Sequence, residues 1–415
     1  MFSESLKEDL YHCLKCGMCQ QNCPTFRATR REYFAPRGRV QIIKHYVEGD
    51  TLLSPVFRDA IMSCTLCDAC AATCPSGVRI DHVFRTMRSE LARAFGPGLA
   101  KRALFSILRN RSLMRTGAAL GHAGQRLIVG HGWPPWRIGN IPFSRFPRLN
   151  ARPFGKTIGD QVPARGKRVG RVLYFTGCAT ELFNENVGKA VVAVLSSLGF
   201  EVIVPADQVC CGAPVFLAGF VQESAPNIRT NLRVLDRDGF DAVVVDCATC
   251  GAALKKEIPR VVEELGNDPS AALRVAGKVR DVSEIVAERI GTLPSALKRG
   301  SRITVTYHDP CHLARGMGVT KEPRTILDSL PNVRLVEMSD AGACCGGAGS
   351  YQFENVDLSH RITSRKMQII EETGASVVAT GCPGCQLTLA GNLEPSRGIE
   401  VVHTVQLLAR SLFGV

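Results

Sequence analysis

A cysteine motif that occurs twice near the start of the chain constrains the fold most strongly. Each copy has the form C-x2-C-x2-C-x3-C-P, closed by Pro24 in the first and Pro75 in the second. The eight cysteines are Cys13, Cys16, Cys19 and Cys23, and Cys64, Cys67, Cys70 and Cys74. The chain has 18 cysteines in all, and its first residues lack the apolar core of an export signal, so disulfides are not expected. The cysteines therefore predict metal centres.

The spacing of these eight cysteines is typical of a domain that holds two [4Fe–4S] clusters. Three cysteines on one loop bind one cluster, and the fourth cysteine of the same motif reaches the other cluster. We therefore predict one cluster on Cys13, Cys16, Cys19 and Cys74, and a second on Cys64, Cys67, Cys70 and Cys23. The alternative, a pair of zinc sites, does not account for the cysteine–proline pair that closes each motif.

The other ten cysteines form two sets of five, which make up an internal repeat. Matching cysteines lie 133 to 135 residues apart, and each set reads C…CCG…CxxC. The first set is Cys178, Cys210, Cys211, Cys247 and Cys250, and the second is Cys311, Cys344, Cys345, Cys382 and Cys385. Five thiolates exceed what one zinc ion takes, which indicates a polynuclear iron centre, or a cluster with a spare thiol, in each copy. A structural zinc with a bystander cysteine is the alternative.

The residues around these two sets predict α/β domains. Short β-branched runs precede the cysteine groups, and helical stretches such as 185–198 lie between them. The runs are 171–176, 201–205 and 242–246 in the first copy, and 303–308, 333–338 and 376–380 in the second. This alternation predicts parallel sheets, with each cysteine group beyond the carboxyl end of a strand, where such sheets bind ligands. The two copies are expected to face each other across a pseudo-twofold axis.

The predicted fold class is therefore a multi-domain α+β protein. A helical two-cluster ferredoxin domain precedes two duplicated α/β domains with parallel sheets, which we call CCG domains. The expected boundaries are 1–92 for the ferredoxin domain, 93–168 for a basic linker, 169–296 for the first CCG domain and 297–415 for the second. No apolar run reaches the roughly 18 residues of a membrane-spanning helix, so we expect a cytoplasmic protein.

Several motifs together resemble the iron–sulfur subunit of glycolate oxidase. They are the twin cysteine motifs, the PRGR turn at 36–39, the CPSGV segment at 74–78 and the two CCG repeats. The same plan is similar to the iron–sulfur subunit of anaerobic glycerol-3-phosphate dehydrogenase, to lactate-utilisation proteins and to the catalytic subunits of heterodisulfide reductases. The resemblance covers the chain from about residue 8 to the end, except for 91–165. These motifs are specific for the architecture and much less so for the substrate.

The resemblance implies an electron-transfer subunit of an oxidoreductase complex, paired with a flavoprotein that oxidises a 2-hydroxy acid such as glycolate or lactate. Electrons would pass through the [4Fe–4S] clusters to quinone or another acceptor. One further iron–sulfur cluster per CCG domain is implied, of the noncubane kind found in heterodisulfide reductases. Because both five-cysteine sets are complete, a catalytic subunit that reduces disulfides is the alternative. No G-x-G-x-x-G follows a predicted strand, so we expect neither flavin nor nicotinamide here, and no substrate oxidation by this chain alone.

The net charge of +13 is concentrated in one segment. Residues 91–159 contain 12 basic residues and no aspartate or glutamate, together with Trp133 and Trp136. Basic residues with interfacial aromatics are typical of a surface that lies on anionic lipid. We therefore expect peripheral contact with the inner face of the cytoplasmic membrane, close to the quinone pool. Docking to an acidic partner subunit is the alternative, and a nucleic-acid partner is not expected.

A few other polar residues lie near the cysteine motifs. His308 and His312 flank a cysteine of the second CCG set, and His403 follows a predicted strand. A histidine beside a cluster can donate a hydrogen bond to sulfur and raise the cluster's potential, although a role in a helix cap or turn is more common. For Arg37 and Arg39, in the PRGR turn, we expect exposure to solvent, and contact with a cluster or a partner is the alternative.

Overall fold

The chain folds into a helical N-terminal domain followed by two α/β domains, which confirms the predicted class. A computed structural model describes residues 2–129, 137–138, 141–142, 147–293 and 301–414. None of the helices in the described part of the chain is long and apolar enough to cross a membrane.

Short helices with clear start and stop signals build the N-terminal domain. They are α1 (Glu4–Tyr11), α2 (Met18–Gln21), α3 (Pro24–Thr29), α4 (Pro36–Glu48), α5 (Pro55–Met62), α6 (Ala69–Ala72) and α7 (Ile80–Phe95). Ser3 and Ser54 accept hydrogen bonds from the first turns of α1 and α5, and Gly49 ends α4 in the left-handed conformation. The core contains Leu6, Leu10, Val40, Ile43, Phe57, Ile61, Val83, Phe84 and Met87. This core fixes the positions of the two cysteine loops.

Two helices join this domain to the first sheet. They are α8 (Leu99–Arg109) and α9 (Arg111–Val129), and antiparallel two-residue strands β1 (Arg137–Ile138) and β2 (Ile141–Pro142) follow them. Phe105 of α8 packs against Phe220 of the first CCG domain, with ring centroids 5.2 Å apart. The segment expected to be a linker thus begins as a packed helical layer. Trp133 and Trp136 lie outside the described residues.

A buried carboxylate ties α9 to the first CCG domain. Glu181 is 1% exposed, and it pairs with Arg111 at 3.1 Å and with Arg115 at 2.7 Å. Burial alone would raise the pKa of Glu181, but the two guanidinium groups hold it below its usual value. Two of the basic residues in the segment therefore serve an internal contact rather than a free surface.

The first CCG domain is a five-stranded sheet in the order β3-β5-β4-β6-β7. Its elements are β3 (Gln161–Val162), β4 (Gly170–Phe175), α10 (Cys178–Leu182), α11 (Glu185–Ser197), β5 (Phe200–Ile203), α12 (Ala213–Phe216), α13 (Val221–Leu235), β6 (Ala242–Val245), α14 (Ala248–Ala252), α15 (Ile258–Glu264), α16 (Ser270–Lys278), β7 (Val279–Asp281) and α17 (Val282–Arg289). All pairings are parallel except that of β3 with β5. The central strands β4 and β6 are almost wholly apolar because helices cover both faces of the sheet.

The second CCG domain repeats this arrangement in a four-stranded parallel sheet, in the order β11-β10-β8-β9. Its elements are β8 (Ile303–His308), α18 (Glu322–Asp328), β9 (Val333–Leu335), α19 (Tyr351–Glu354), α20 (Val356–Glu371), β10 (Val377–Thr380), α21 (Pro383–Ala390), β11 (Glu400–His403) and α22 (Thr404–Phe413). In the first copy β4 lies between β5 and β6, with β7 at an edge, and in the second β8 lies between β9 and β10, with β11 at an edge. The internal repeat predicted from the cysteine spacing is thus also a repeat of the sheet topology.

The two CCG domains pack on each other reciprocally. Helix α11 of the first contacts α22 of the second, and α17 of the first contacts α18 of the second. Helix α11 of the first copy corresponds to α18 of the second, and α17 corresponds to α22. The two helix pairs are therefore equivalent contacts, as a twofold axis requires. Apolar side chains from both copies merge there, among them Val187, Ile285, Leu327 and Leu408. The packing agrees with the expected pseudo-twofold axis.

Candidate iron–sulfur sites

Both cysteine loops of the N-terminal domain use the same unusual backbone. Lys15 and Gly17 in the first loop, and Leu66 and Asp68 in the second, have φ between 51° and 82°. Three of these four residues carry a side chain, which makes the left-handed conformation unfavourable. Such alternation turns backbone N–H groups toward one concave side, which suits an anion. The strain therefore lies where a negatively charged cluster would bind.

The second loop and the last cysteine of the first motif line one cavity. Cys23, Cys64, Cys67 and Cys70 all face it. The Leu66 N–H donates to the Cys64 sulfur at 3.4 Å. Burial raises the pKa of Cys67 to about 11. The crossed ligand set stays a prediction, and its four cysteines lie together.

The first loop is more open. Cys16 is exposed, whereas Cys13, Cys19 and Cys74 are half-buried. Burial raises the pKa of Cys19 to about 11. Cys74 comes shortly after α6, and α6 contacts α2, the helix that contains Cys19. Cys74, the last cysteine of the second motif, therefore follows a helix that packs beside the first loop.

The five cysteines of the first CCG domain come together beyond the carboxyl ends of β4, β5 and β6. The sulfurs of Cys178 and Cys210 are 4.0 Å apart, and this contact, with burial, raises the pKa of Cys178. Hydrogen bonds from Cys210 and Cys250 hold the pKa of Cys211 well below its usual value. Cys247 is the residue before α14, and Cys250 lies within this helix.

The second set is arranged in the same way. Cys345 and Cys385 have their sulfurs 3.6 Å apart. Hydrogen bonds from Cys344 and then Cys385 hold the pKa of Cys345 well below its usual value. Cys382 is the residue before α21, as Cys247 is before α14. Cys311 has Cys345 as a neighbour, so each copy gathers its five predicted cysteines.

The two CCG sets meet each other and reach the N-terminal domain. Hydrogen bonds from Cys247 of the first copy and Cys385 of the second hold the pKa of Cys382 well below its usual value. On the other side, burial and the neighbouring Cys67 raise the pKa of Cys311. The Arg315 guanidinium donates to the Cys67 carbonyl at 3.2 Å and closes this junction. The cysteines therefore form a continuous series from the first CCG domain, through the second, to the loop at Cys67.

The three histidines have different surroundings. His308 is buried, and its ring lies within 4.8 Å of the Cys345 and Cys385 sulfurs. Burial lowers the pKa of His308, so the ring is neutral at pH 7. Phe175 holds the matching position in the first copy, three residues before the first cysteine of its set. A sulfur-facing histidine is thus a feature of the second CCG domain.

His403 and His312 make structural contacts. His403 donates from Nε2 to the Asp246 carbonyl at 2.9 Å and accepts at Nδ1 from the Val405 N–H, which caps α22. Burial lowers the pKa of His403 to about 4. His312 pairs through Nδ1 with the Thr249 hydroxyl at 3.1 Å. Both histidines join the two copies of the repeat.

The expectation of exposed arginines in the PRGR turn is wrong for Arg39. Its side chain is fully buried, whereas that of Arg37 is 34% exposed and pairs with Glu32 at 2.7 Å. Residues two apart point to different faces of a helix, and Arg39 shares its face with the buried Ile43. This apolar spacing along α4 could have revealed the burial from the sequence.

Comparison with known proteins agrees with this arrangement. The family described as "4Fe-4S dicluster domain" matches 9–78, and the family described as "Cysteine-rich domain" matches 172–255 and 305–390. One subunit of the fumarate reductase (CoM/CoB) from Methanothermobacter marburgensis is 30% identical over 95% of this chain and 71% of its own length. This chain belongs to the same family of iron–sulfur proteins.

Other relatives of this dicluster–CCG family match along nearly their whole length. The probable glycolate oxidase iron-sulfur subunit of Bacillus subtilis is 27% identical over 98% of this chain and 95% of that one. One subunit of the dihydromethanophenazine:CoB--CoM heterodisulfide reductase from Methanosarcina acetivorans is 26% identical over 97% of this chain and 94% of that one. The predicted resemblance is confirmed, and the chain is an iron–sulfur redox protein with iron–sulfur clusters as cofactors.

A solved structure shares the fold. The crystal structure of a hypothetical protein from Helicobacter pylori aligns with a TM-score of 0.51 at 11% identity, over 99% of this chain and 73% of that one.

Proposed function

We propose that this dicluster–CCG protein is the electron-transfer subunit of a flavoprotein-linked 2-hydroxy-acid dehydrogenase of the glycolate or lactate type. Electrons enter from the flavin subunit and leave to quinone or another acceptor. The observation that carries the proposal is the continuous series of cysteines from Cys178 to Cys67, because electron transfer needs closely spaced redox centres. The division into 1–92, 93–168, 169–296 and 297–415 is part of the proposal, with the edge strand β3 as the part of 93–168 that joins the first CCG sheet.

The proposed ligands are the 18 cysteines. Cys13, Cys16, Cys19 and Cys74 would hold one [4Fe–4S] cluster, Cys64, Cys67, Cys70 and Cys23 the other, and each five-cysteine CCG set one further iron–sulfur centre. Iron–sulfur clusters supply one-electron transfer when bound. The chain itself provides thiolates on fixed loops and keeps water from most of them, since seven of the ten CCG cysteines are buried.

A disulfide-reducing catalytic subunit is the second candidate. It is favoured by the completeness of both five-cysteine sets and by their contact at Cys247 and Cys382. A disulfide substrate would have to reach sulfur from outside, and Cys178, Cys311 and Cys344 are the half-buried members of the two sets. The heterodisulfide reductase relatives support disulfide reduction as the alternative function of the same site.

Electron transfer from the partner tests the proposal. We expect glycolate or lactate to bleach the visible absorbance of the clusters when the chain is mixed anaerobically with the flavoprotein that co-purifies with it. Neither substrate should bleach the chain by itself. Rapid reduction of a disulfide by the chain with reduced viologen, with no electron uptake from any flavoprotein, would favour the reductase instead.

Membrane contact through 91–159 is a further part of the proposal. Helices α8 and α9 leave large apolar side chains in solvent, among them Leu99, Leu104, Ile107, Leu113, Leu120 and Leu127. Arginines and lysines lie between them, and each basic residue near anionic lipid contributes about 1 kcal/mol. We propose that this face lies on the inner surface of the cytoplasmic membrane, where it brings the clusters near quinone.

Liposome flotation tests the membrane contact. Most of the chain should float with anionic vesicles at low salt, and little with neutral vesicles or at high salt. Leu120→Asp with Leu127→Asp should abolish flotation, whereas Leu52→Asp, at a residue 80% exposed in the ferredoxin domain, should not. Equal failure to bind under every condition would assign the face to an acidic partner subunit.

A further inference from the structure

A fully buried arginine lies beside the cavity of the second cysteine loop. Arg39 lines this cavity together with Cys23, Cys64, Cys67 and Cys70. Its guanidinium donates to the Ala60 carbonyl at 2.6 Å and to the hydroxyls of Thr25 and Ser63 at 3.2 and 3.0 Å. The Thr25 hydroxyl is in turn 3.2 Å from the Cys23 sulfur. One hydroxyl thus separates a buried positive charge from a proposed cluster ligand.

No carboxylate of the described residues forms an ion pair with Arg39. All of its hydrogen-bond partners are neutral, and the side chain is 0% exposed. A buried charge without a counter-ion is strongly unfavourable, so native proteins pair such groups. The neighbouring Gly38 favours the burial of Arg39, because a Cβ at Gly38 would lie 2.1 Å from the Glu32 carbonyl oxygen. The absence of a side chain there lets α4 pack closely and carry Arg39 inward.

The carboxylates that line the cavity are already paired with cations. Asp68 and Asp81 line it, and both pair with Arg85 at 3.0 Å. Glu257, Lys256 and Arg260 complete this network, which has three carboxylates and three cations. Arg88, which is 8% exposed, also hydrogen-bonds only to backbone carbonyls, those of Met62, Cys64 and Leu217. The uncompensated charge around the second loop is therefore positive.

We propose that Arg39 is a positioning residue that acts as the buried counter-charge of the cluster on Cys23, Cys64, Cys67 and Cys70, and raises its reduction potential. The inference rests on the ligand set proposed above. A cubane cluster with four thiolates is an anion, and reduction adds one more negative charge to it. A fixed guanidinium nearby stabilises the reduced form more than the oxidised form, because the attraction grows with the cluster's charge.

The proposal implies that the two clusters of the ferredoxin domain differ in potential. Arg37 donates to the Lys15 carbonyl of the first loop at 3.1 Å, but it is 34% exposed and already paired with Glu32, so its charge is compensated and screened by water. The cluster of the second loop is then the easier one to reduce. It is also the one next to the second CCG domain, through Arg315 and the Cys67 carbonyl.

A redox titration of Arg39→Gln tests the proposal. The full chain is reconstituted anaerobically, reduced stepwise with a chemical reductant and followed by paramagnetic resonance. We expect the midpoint potential of one ferredoxin-domain cluster to fall and that of the other to stay unchanged. Arg37→Gln, on the same helix, should leave the potential of that cluster as it is, and Arg39→Lys should restore most of the shift. The titration needs no flavoprotein, so its outcome is independent of the proposed partner.

Each other outcome is informative. Unchanged potentials in a fully loaded Arg39→Gln protein would overturn the proposal. If the Arg39→Gln protein does not hold the cluster, the potential of the Arg39→Lys protein becomes the test. A loaded lysine variant with the wild-type potential shows that the charge is required, whereas loss of the cluster in both variants would reduce Arg39 to a packing and hydrogen-bonding role.

Discussion

A Cys23→Ser variant should lose the cluster whose other ligands are Cys64, Cys67 and Cys70, and keep the cluster of the first loop. Cys23 belongs to the first motif by sequence, but it lines the cavity of the second loop. Serine oxygen is a poor replacement for a soft thiolate ligand of iron. We expect the iron and sulfide content of the protein to fall by one cluster. The paramagnetic signal of one reduced ferredoxin-domain cluster should disappear.

Cys74→Ser is the matched control for this variant. It should remove the opposite cluster, which has Cys13, Cys16 and Cys19 as its other ligands. The two variants together identify which signal belongs to which loop, and the Arg39 titration needs that assignment. Loss of the first-loop cluster alone in Cys23→Ser would refute the crossed arrangement.

Replacing Cys210 and Cys211 together with serine should remove the metal centre of the first CCG domain and leave that of the second unchanged. The two sets lie beyond the strands of two separate sheets, and each holds five cysteines. The contact between Cys247 and Cys382 brings the two sets close together, so the experiment distinguishes two separate centres from one shared centre. The readout is the paramagnetic and visible spectrum of each centre, together with the iron content.

The matched variant carries Cys344→Ser and Cys345→Ser in the second copy. It should give the opposite pattern, with the first centre retained. If either double variant loses both signals while circular dichroism shows that the protein remains folded, the ten cysteines form one shared site. In that case the duplication of the fold would not be a duplication of the metal centre.

The sheet domains are well predicted from the sequence, because their signals are local. The runs 171–176 and 242–246 correspond to β4 (Gly170–Phe175) and β6 (Ala242–Val245), and the helix expected at 185–198 is α11 (Glu185–Ser197). These strands are apolar because they are buried on both faces, which makes them visible as continuous runs. The cysteine groups that follow the strands mark the functional edge of each sheet.

Contacts between distant elements have no direct signal in the sequence. The edge strand β3 (Gln161–Val162) has two residues and is defined by its antiparallel pairing with β5. The meeting of Cys247 with Cys382 depends on how two sheets pack, which spacing along the chain does not encode. The burial of Arg39 was not predicted, although Arg39 shares a helix face with the buried Ile43, because an arginine is seldom buried without a charged partner.

The burial of the sulfurs has a consequence for the biogenesis of the protein. Arg27 pairs with Asp340 at 2.6 Å, and Arg315 reaches the Cys67 carbonyl, so the ferredoxin domain closes over the second CCG domain. We therefore expect iron and sulfide to reach the buried Cys67 and Cys70 before these domains dock, whereas the first loop, with Cys16 exposed, stays open. Cofactor insertion becomes a step of folding. We expect a damaged centre at the second loop to be replaced only after this junction separates.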